Sequence, residues 1–189
     1  FRSCWPSSMT QVLSLSERSK RFFLDVARWV PVVLAVQEYV GTVRQTEGRS
    51  MQPTMNSTRA WWRIGDLLLL DRWHARSYER GDVVELLSPC EVGAVLIKRV
   101  IGVEGDLVRP RCGDGSLVRV PRGHVWVEGD NGPLSHDSNA FGCVPAGLVQ
   151  SRVAAKILPL SEAGAIECRP PPRDRVIPSR YPRAMRYGD

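Results

Sequence analysis

Short apolar segments separated by turn residues dominate the chain from about Arg44 to Leu160. The segments are rich in Val, Leu and Ile, and Gly-Asp pairs recur between them, at 65–66, 81–82, 105–106, 113–114 and 129–130. No segment of helical periodicity interrupts them, and short strands at this spacing are typical of an all-β sandwich or a folded barrel. The predicted strands are Leu67–Leu70, Val83–Leu87, Val95–Val103, Leu107–Val108 and His124–Glu128. The pattern predicts a mostly β domain over residues 44–160.

A more continuous apolar segment precedes this domain. Residues 22–40, FFLDVARWVPVVLAVQEYV, have about the length of a membrane span, roughly 20 residues. Asp25, Arg28 and Glu38 interrupt them, and the unbroken apolar run Trp29–Val36 is short. We interpret residues 1–43 as an N-terminal segment with a marginal membrane helix or interfacial anchor over about 22–40. The alternative is an amphipathic helix packed on the β domain.

Composition and charge narrow the possible functions. Hydrophobic residues make up 43% of the chain and charged residues 24%, which excludes wholesale disorder. The formal charge is +6, but six Arg face only two Asp in residues 169–189, so most of the excess lies in a Pro-rich tail. We expect this tail, residues 161–189, to be disordered or extended. A nucleic-acid-binding β-barrel needs aromatic residues interleaved with basic ones, whereas the six Trp are scattered. No nucleic-acid partner is predicted.

The five cysteines and three histidines show no ligand pattern. Neither a CxxC pair nor a Cys/His zinc spacing is present. The run Ser135-His136-Asp137 cannot form a serine-protease triad, because adjacent residues of an extended chain point to opposite sides. No metal or other cofactor is predicted.

Two segments carry candidate chemistry. Ser50 lies in SMQPT, where a bend can present its hydroxyl outward, although most such serines only form turns. Lys98 lies in a strand whose alternation places it on one face with Leu96 and Val100. Apolar neighbours lower a lysine pKa, and a neutral lysine can act as the general base for a serine hydroxyl. The alternative for Lys98 is an ammonium group that reaches solvent from an edge strand.

Four ordered segments resemble the conserved boxes of a known family. They are SMQPT at 50–54, RGDVV at 80–84, IKRVIGVEGD at 97–106 and GDNGPLSHDSNAFG at 129–142. In order and spacing they resemble type I signal peptidases, which are membrane-anchored serine proteases with a Ser/Lys dyad. The resemblance covers about residues 44–160. It implies a signal-peptidase-like folded β-sheet or barrel as the catalytic domain, with an N-terminal membrane-anchoring helix.

The resemblance also implies roles for individual residues. Ser50 would be the nucleophile and Lys98 the general base, Ser135 would hydrogen-bond and orient Lys98, and Asp137 would support the loop. Asp130 and Asn131 would shape the turn. Gly48 is a departure, because many bacterial members have a Ser or Thr there as an oxyanion donor; backbone N–H groups, chiefly that of Ser50, would replace it.

Within the family, the sequence resembles the mitochondrial inner membrane proteases. Asn139 resembles the second of their two paralogous subunits, since most of the family, including the first subunit, has Arg there. The resemblance implies a peptidase that removes sorting presequences and faces the intermembrane space. It also implies a hetero-oligomer with the paralogous first subunit and contact with membrane lipid.

Other interpretations remain open at this point. Within the enzyme class, the alternative is a bacterial or an ER-type signal peptidase, although ER-type enzymes have His in place of the lysine. From another class, the alternative is a non-catalytic, basic, membrane-associated binding module in which Ser50 and Lys98 are incidental.

Overall fold

The computed structural model describes residues 8–56, 65–75, 77–112 and 115–179. The chain divides into two compact units, Phe1–Val40 and Gly41–Asp189. The first is helical and the second is mostly β.

The first unit consists of a long helix, α1 (Ser8–Ala35), followed by a π-helical turn (Val36–Val40). The described side chains from Ser19 to Val40 are exposed, including those of Phe22 and Trp29. Within the described residues, no helix combines the length and the continuous apolar character needed to cross a bilayer. The membrane span predicted over residues 22–40 is therefore not found.

The second unit is mostly β. Its strands are β1 (Gly41–Gln45), β2 (Leu67–Asp71), β3 (Val83–Leu87), β4 (Val95–Gly102), β5 (Leu107–Val108), β6 (Val118–Arg119), β7 (His124–Glu128), β8 (Val144–Pro145), β9 (Val149–Leu158), β10 (Gly164–Ala165) and β11 (Val176–Ile177). A single helical turn, α2 (Ser138–Phe141), follows β7. The prediction of a mostly β fold is confirmed, and all five predicted strands form.

The strands form two antiparallel sheets. The larger has eight strands in the order β1-β2-β9-β3-β4-β7-β8, with β10 paired to β9. The smaller has the order β11-β5-β6.

Strand alternation sorts the apolar side chains into separate cores. Val84 and Leu86 of β3 belong to one cluster, whereas Val83 belongs to another. Both faces of β3 are therefore covered, and its first four residues are buried. A third cluster includes Ile101 and Val176, so residues of both sheets contribute to it.

The sheet divides along β4, and this division positions the site. All of Val95–Arg99 pairs with β3 on one side. On the other side, β7 pairs with β4 only from Arg99 onward. Within the described residues, the β4 edge over 95–98 has no strand partner, so a cleft can form beside it.

The turn at Gly105-Asp106 combines a backbone requirement with a buried charge. Gly105 has φ +86°, a conformation that residues other than Gly rarely adopt. Asp106 is fully buried and accepts hydrogen bonds from the Val103 N–H and from Nε and Nη2 of Arg80, at 2.7 to 2.9 Å. This turn is therefore tied to the body through its Asp as well as shaped by its Gly.

Residues 161–179 of the tail, which was predicted to be disordered or extended, follow the second alternative and dock on the β unit. β10 pairs with β9, β11 pairs with β5, and Val176 is buried. Arg175 donates two hydrogen bonds, of 2.9 and 2.8 Å, to the buried carboxylate of Glu128. As the composition indicates, the segment contributes few buried apolar side chains. It is ordered because it pairs and packs with strands of the β unit. Residues 180–189 lie outside the described part of the chain.

Removing the Arg175 guanidinium should destabilise the β unit. Glu128 would keep Arg111 and the Trp126 N–H as partners, but its carboxylate would be only partly compensated. We expect Arg175→Ala to lower the free energy of unfolding by about 2–3 kcal/mol, somewhat less than the loss of a sole partner of a buried charge. Urea denaturation of the full chain measures this. Arg173→Ala, at a nearby exposed position, should change it by less than about 0.5 kcal/mol. Equal effects of the two substitutions would contradict the docking of this segment.

The buried carboxylates should also make stability depend on pH. Burial alone would raise the pKa of Asp106 and of Glu128, but hydrogen bonds from Arg80 and Arg175 respectively outweigh it and hold both below their usual range. A carboxyl group whose pKa is lower in the folded than in the unfolded state contributes stability above its unfolded pKa. That contribution is lost as pH falls through the folded value. Urea unfolding should therefore give a nearly constant free energy from pH 7 to 5 and a steep decline from pH 5 to 3. Asp106→Asn should be less stable at pH 7 but decline less; a flat wild-type profile would contradict the assignment.

Candidate active site

Ser50 lies on a turn between β1 and β2 that buried side chains hold in place. Met51 and Met55 belong to one apolar cluster, and the Met55 N–H donates to the Met51 carbonyl at 2.9 Å. Just upstream, Gly48 has φ +92°, a left-handed conformation that favours Gly. Because its neighbours are anchored in the core, the half-buried Ser50 holds its hydroxyl in a fixed direction.

Lys98 meets this hydroxyl from β4. Its Nζ donates to Ser50 Oγ at 2.8 Å. The Lys98 side chain is only 3% exposed, and Leu96 and Val100, its neighbours on the same strand face, pack in or against one apolar cluster. Burial lowers the pKa of Lys98, and the negative charge of Asp137 offsets part of this effect. The two residues predicted to form a dyad are thus in direct contact.

Gly129 allows the loop after β7 to approach the Ser50 turn. A Cβ atom at this position would collide with the Ser50 carbonyl oxygen and with the Ser135 side chain. Two residues later, the Asn131 N–H donates to the same Ser50 carbonyl at 3.0 Å. The absence of a side chain at position 129 therefore brings the loop against the backbone of Ser50.

Asp137 fixes the far part of this loop. Its carboxylate is 2% exposed and accepts hydrogen bonds from the Gly129 N–H at 2.9 Å and from the Asn139 N–H at 3.1 Å, which caps α2. Burial would raise the pKa of Asp137, but the neighbouring Ser135 hydroxyl and the bonds from Gly129 and Asn139 lower it overall. The side chain is therefore a charged anchor within the loop.

Ser135 does not form the predicted hydrogen bond to Lys98 in the structure. Its Oγ is buried and has no hydrogen-bond partner in the described part of the chain. It lies near enough to Asp137 to stabilise that charge, but not in hydrogen-bond geometry with it. Its hydroxyl is therefore free to reorient.

Arg99 is a residue whose importance the sequence interpretation missed. It is 3% exposed, and its Nε and Nη2 bind the two oxygens of Asp130 at 2.8 and 2.7 Å. Thr54 of the Ser50 turn donates to the same carboxylate at 2.5 Å. The other end of the guanidinium donates to the carbonyls of Gly81 and Glu167. The sequence feature that could have identified Arg99 is its position directly after Lys98. Alternation places it on the opposite face of β4, a strand with both faces covered.

Asn56 is a second missed residue, at the other end of the Ser50 turn. Its Nδ2 donates to the Gly48 carbonyl at 2.9 Å, and its Oδ1 accepts from the Asp66 N–H at 2.9 Å. Asp66 in turn forms an ion pair with the buried Lys156 at 2.8 Å. Asn56 has φ +52°, a conformation that Asn tolerates better than most residues. It ties the turn to the start of β2.

Arg111 supports the loop after β7 through Asn139 and through the start of the loop. Its backbone N–H donates to Asn139 Oδ1 at 2.7 Å. Its guanidinium binds the Gly129 carbonyl at 2.9 Å and Glu128 at 2.9 Å. A guanidinium from a different segment thus contacts the start of the loop.

A cavity of about 270 Å³ opens beside Ser50 and Lys98. One wall is formed by residues 44–48, and the other by the unpartnered β4 edge over 95–98. Met51, Met55 and Asn56 complete the lining. The cavity is large enough for side chains of an extended peptide.

None of the three histidines takes part in the contact between Ser50 and Lys98. His74 binds Asp71, His124 contacts the Arg122 carbonyl, and His136 packs edge-on against Phe141. None of them is hydrogen-bonded to Ser50 or Lys98 in the structure. Across the described ranges, no group of three or more His, Cys, Asp or Glu side chains is arranged to hold a metal ion.

Comparison with known proteins agrees with this geometry. A family model described as signal peptidase, peptidase S26, matches residues 19–118. The mitochondrial inner membrane protease subunit 2 of Schizosaccharomyces pombe is 46% identical over 146 residues, 76% of this chain and 79% of that protein. Subunit 2 of Danio rerio is 44% identical over 78% of this chain and 81% of that protein.

The paralogous subunit is more distant. Mitochondrial inner membrane protease subunit 1 of Homo sapiens is 38% identical over 70% of this chain and 79% of that protein. Both the family model and these relatives extend over more than half of the sequence. The chain therefore belongs to the S26 signal peptidase family of serine peptidases.

Proposed function

We propose that this chain is a membrane-bound serine endopeptidase that uses Ser50 as nucleophile and Lys98 as general base. The observation that carries the proposal is the 2.8 Å contact between Ser50 Oγ and a lysine that is 3% exposed, at the wall of a peptide-sized cavity. Its substrates are proteins delivered to the mitochondrial intermembrane space, from which it removes sorting presequences.

The first step follows from this contact. Neutral Lys98 accepts the Ser50 proton while Oγ bonds to the scissile carbonyl carbon. When the tetrahedral intermediate collapses, the peptide C–N bond breaks and Lys98 returns the proton to the leaving amine. Water then attacks the acyl-enzyme, Lys98 takes its proton, and Ser50 regains a proton as the new carboxyl group departs.

Stabilisation of the oxyanion rests on the backbone. Gly48 offers no side-chain donor, and the Ser50 N–H donates to no other group among the described residues. This N–H is therefore available to the developing negative charge, and the anchored turn holds it in place without reorganisation.

Ser135 and Asp137 have supporting roles in this proposal. The Asp137 carboxylate keeps the loop in the shape that brings Gly129 against Ser50. Ser135, whose buried Oγ has no partner within the described chain, turns toward Lys98 when the amine becomes neutral and orients it. Both act through Lys98 or the loop rather than on the substrate.

The relatives guide the cellular assignment. The identity to subunit 2 proteins is 44 and 46%, against 38% for a subunit 1 protein. We assign the chain as a subunit 2 that forms a hetero-oligomer with subunit 1 in the mitochondrial inner membrane, with the β unit facing the intermembrane space. The exposed apolar side chains of residues 22–40, next to Lys20 and Arg21, serve as the membrane anchor by contact with lipid.

Substitutions at the dyad separate this enzyme from a non-catalytic binding module. Ser50→Ala, Lys98→Ala and Lys98→Arg should each reduce kcat by about 10³-fold or more, while the chain still folds and joins subunit 1. Arg fails although it keeps the charge, because a guanidinium does not release its proton at usable pH. The measurement is cleavage of a presequence peptide by the assembled complex.

Matched controls in that assay are Ser77→Ala and Lys20→Arg, both at exposed positions. They should retain wild-type turnover. Near-normal cleavage by Lys98→Arg would show that the base lies elsewhere, and full activity of Ser50→Ala would reject the peptidase mechanism.

The pH dependence tests the protonation state of Lys98. Burial lowers its pKa, so kcat/KM should rise with pH through an apparent pKa well below the roughly 10.4 of free lysine. Asp137 raises the pKa of Lys98, so Asp137→Asn should shift the rising limb to lower pH. The measurement is kcat/KM from pH 5 to 10 with a peptide that does not titrate in this range. A limb that rises only near pH 10, or one that moves upward in Asp137→Asn, would contradict this role.

A further inference from the structure

Arg44 lines the cleft and forms an ion pair with the buried Glu85, and both residues stand where strand alternation predicts apolar side chains. The register partner of Arg44 is Leu68, which is fully buried in an apolar cluster. Glu85 lies two residues after Val83 of the same cluster, and its register partner Ile97 packs against that cluster. Arg44 and Glu85 therefore share a face with aliphatic residues.

The carboxylate of this pair is buried and the guanidinium covers it. Glu85 is 1% exposed, and its Oε2 accepts a hydrogen bond from Ser151 Oγ at 2.8 Å. Arg44 Nε lies 2.5 Å from Oε1, at an angle that does not make a hydrogen bond. The Arg44 side chain remains 46% exposed and lines the cavity.

Stability does not explain the pair. The Glu85 carboxylate is buried at a desolvation cost, and an ion pair with a buried member often contributes no more to stability than well-packed apolar residues of similar volume. The same face accommodates Leu68 and Val83, so the fold can hold aliphatic side chains there. A charge that is kept in the cleft although apolar side chains would be at least as stabilising indicates that it binds a ligand.

The Arg44 guanidinium has donors to offer to such a ligand. Its contact with Glu85 uses Nε, and within the described residues neither Nη group forms a hydrogen bond. The position is also close to the dyad. Arg44 lines the same cavity as Ser50 and Lys98.

We propose that Arg44, held by Glu85, forms a substrate subsite that accepts an uncharged hydrogen-bonding side chain, a carboxamide or a hydroxyl. This inference rests on the proposed peptidase function and specifies its substrate class. The oxygen of such a side chain accepts from the free Nη groups. An aliphatic side chain would bury the guanidinium without an acceptor, which is costly.

Charge excludes the other polar side chains. An acidic side chain at Arg44 would lie near the Glu85 carboxylate, with Glu47 also lining the cavity. With Lys98 neutral, these two carboxylates outnumber the single guanidinium. A basic side chain would be repelled by Arg44 itself. The subsite is therefore selective against both signs of charge.

Asn, Leu and Asp make a nearly isosteric test of this subsite. We would scan presequence peptides with each of the three at every position within three residues of the scissile bond, using the complex with subunit 1. At one position, kcat/KM for Asn should exceed that for Leu and for Asp by about tenfold or more. Equal kcat/KM values for the three residues at all positions would overturn the proposal.

Paired substitutions identify the residues responsible. Arg44→Leu alone would leave Glu85 buried without its cation, so both charges are removed together in Arg44→Leu/Glu85→Leu. The double variant should prefer Leu over Asn at that position. Glu91→Leu/Arg173→Leu, which removes one charge of each sign at exposed positions outside the cavity lining, should keep the wild-type preference. A double variant at 44 and 85 that still prefers Asn would overturn the proposal.

A neutral polar pair keeps the test decisive if the leucine variant does not unfold cooperatively. Arg44→Gln/Glu85→Gln should keep Asn above Leu but lose most of the discrimination against Asp. Unchanged discrimination would again overturn the subsite. Ser50→Ala separates the two proposals. If this variant still cleaves the peptides, the peptidase mechanism fails. If it is inactive and the wild type cleaves the Asn, Leu and Asp peptides equally well, only the subsite is rejected.

Discussion

The buried guanidinium of Arg99 holds together the segments that carry the chemistry. Asp130 from the loop after β7, Thr54 from the Ser50 turn, and the carbonyls of Gly81 and Glu167 all meet at this group or its carboxylate partner. Strand alternation makes this possible, because Lys98 and Arg99 point to opposite faces of β4. One face of the strand therefore presents the base, and the other fixes the parts that surround it.

The different roles of Arg99 and Lys98 follow from the protonation chemistry of the two side chains. The fully or largely buried carboxylates Asp106, Glu128 and Asp130 each pair with an arginine, which stays charged in a dry environment. Lys98 is buried without a carboxylate in contact, and its pKa falls. A lysine at position 99 would replace a permanent structural charge with one that can be lost by deprotonation. An arginine at position 98 would replace a group that can lose its proton with one that cannot.

The sequence permits accurate prediction of the features that depend on local patterns. The strands follow from apolar runs and Gly-Asp turns. The ordered motifs and the apolar face of β4 pointed to Ser50 and Lys98, which the fold brings into contact. Contacts between distant segments were not predictable in this way. Arg175 binds Glu128, and Asn56 binds Gly48 and Asp66, through side chains whose partners periodicity does not identify. Of the two alternatives for the tail, disordered or extended, residues 161–179 follow the second, because the surface on which they dock belongs to other segments and cannot be seen in their own composition.

The docking of residues 164–179 also sets the order in which the site can be completed. Glu128 directly precedes Gly129, so the ion pair from Arg175 stabilises the strand end from which the loop departs. Arg99 likewise needs the Glu167 carbonyl to satisfy its guanidinium fully. Both contributions come from residues that lie C-terminal to Ser50, Lys98 and the loop, and that therefore leave the ribosome after them. The loop beside Ser50 gains this support only once residues 164–179 are available to dock.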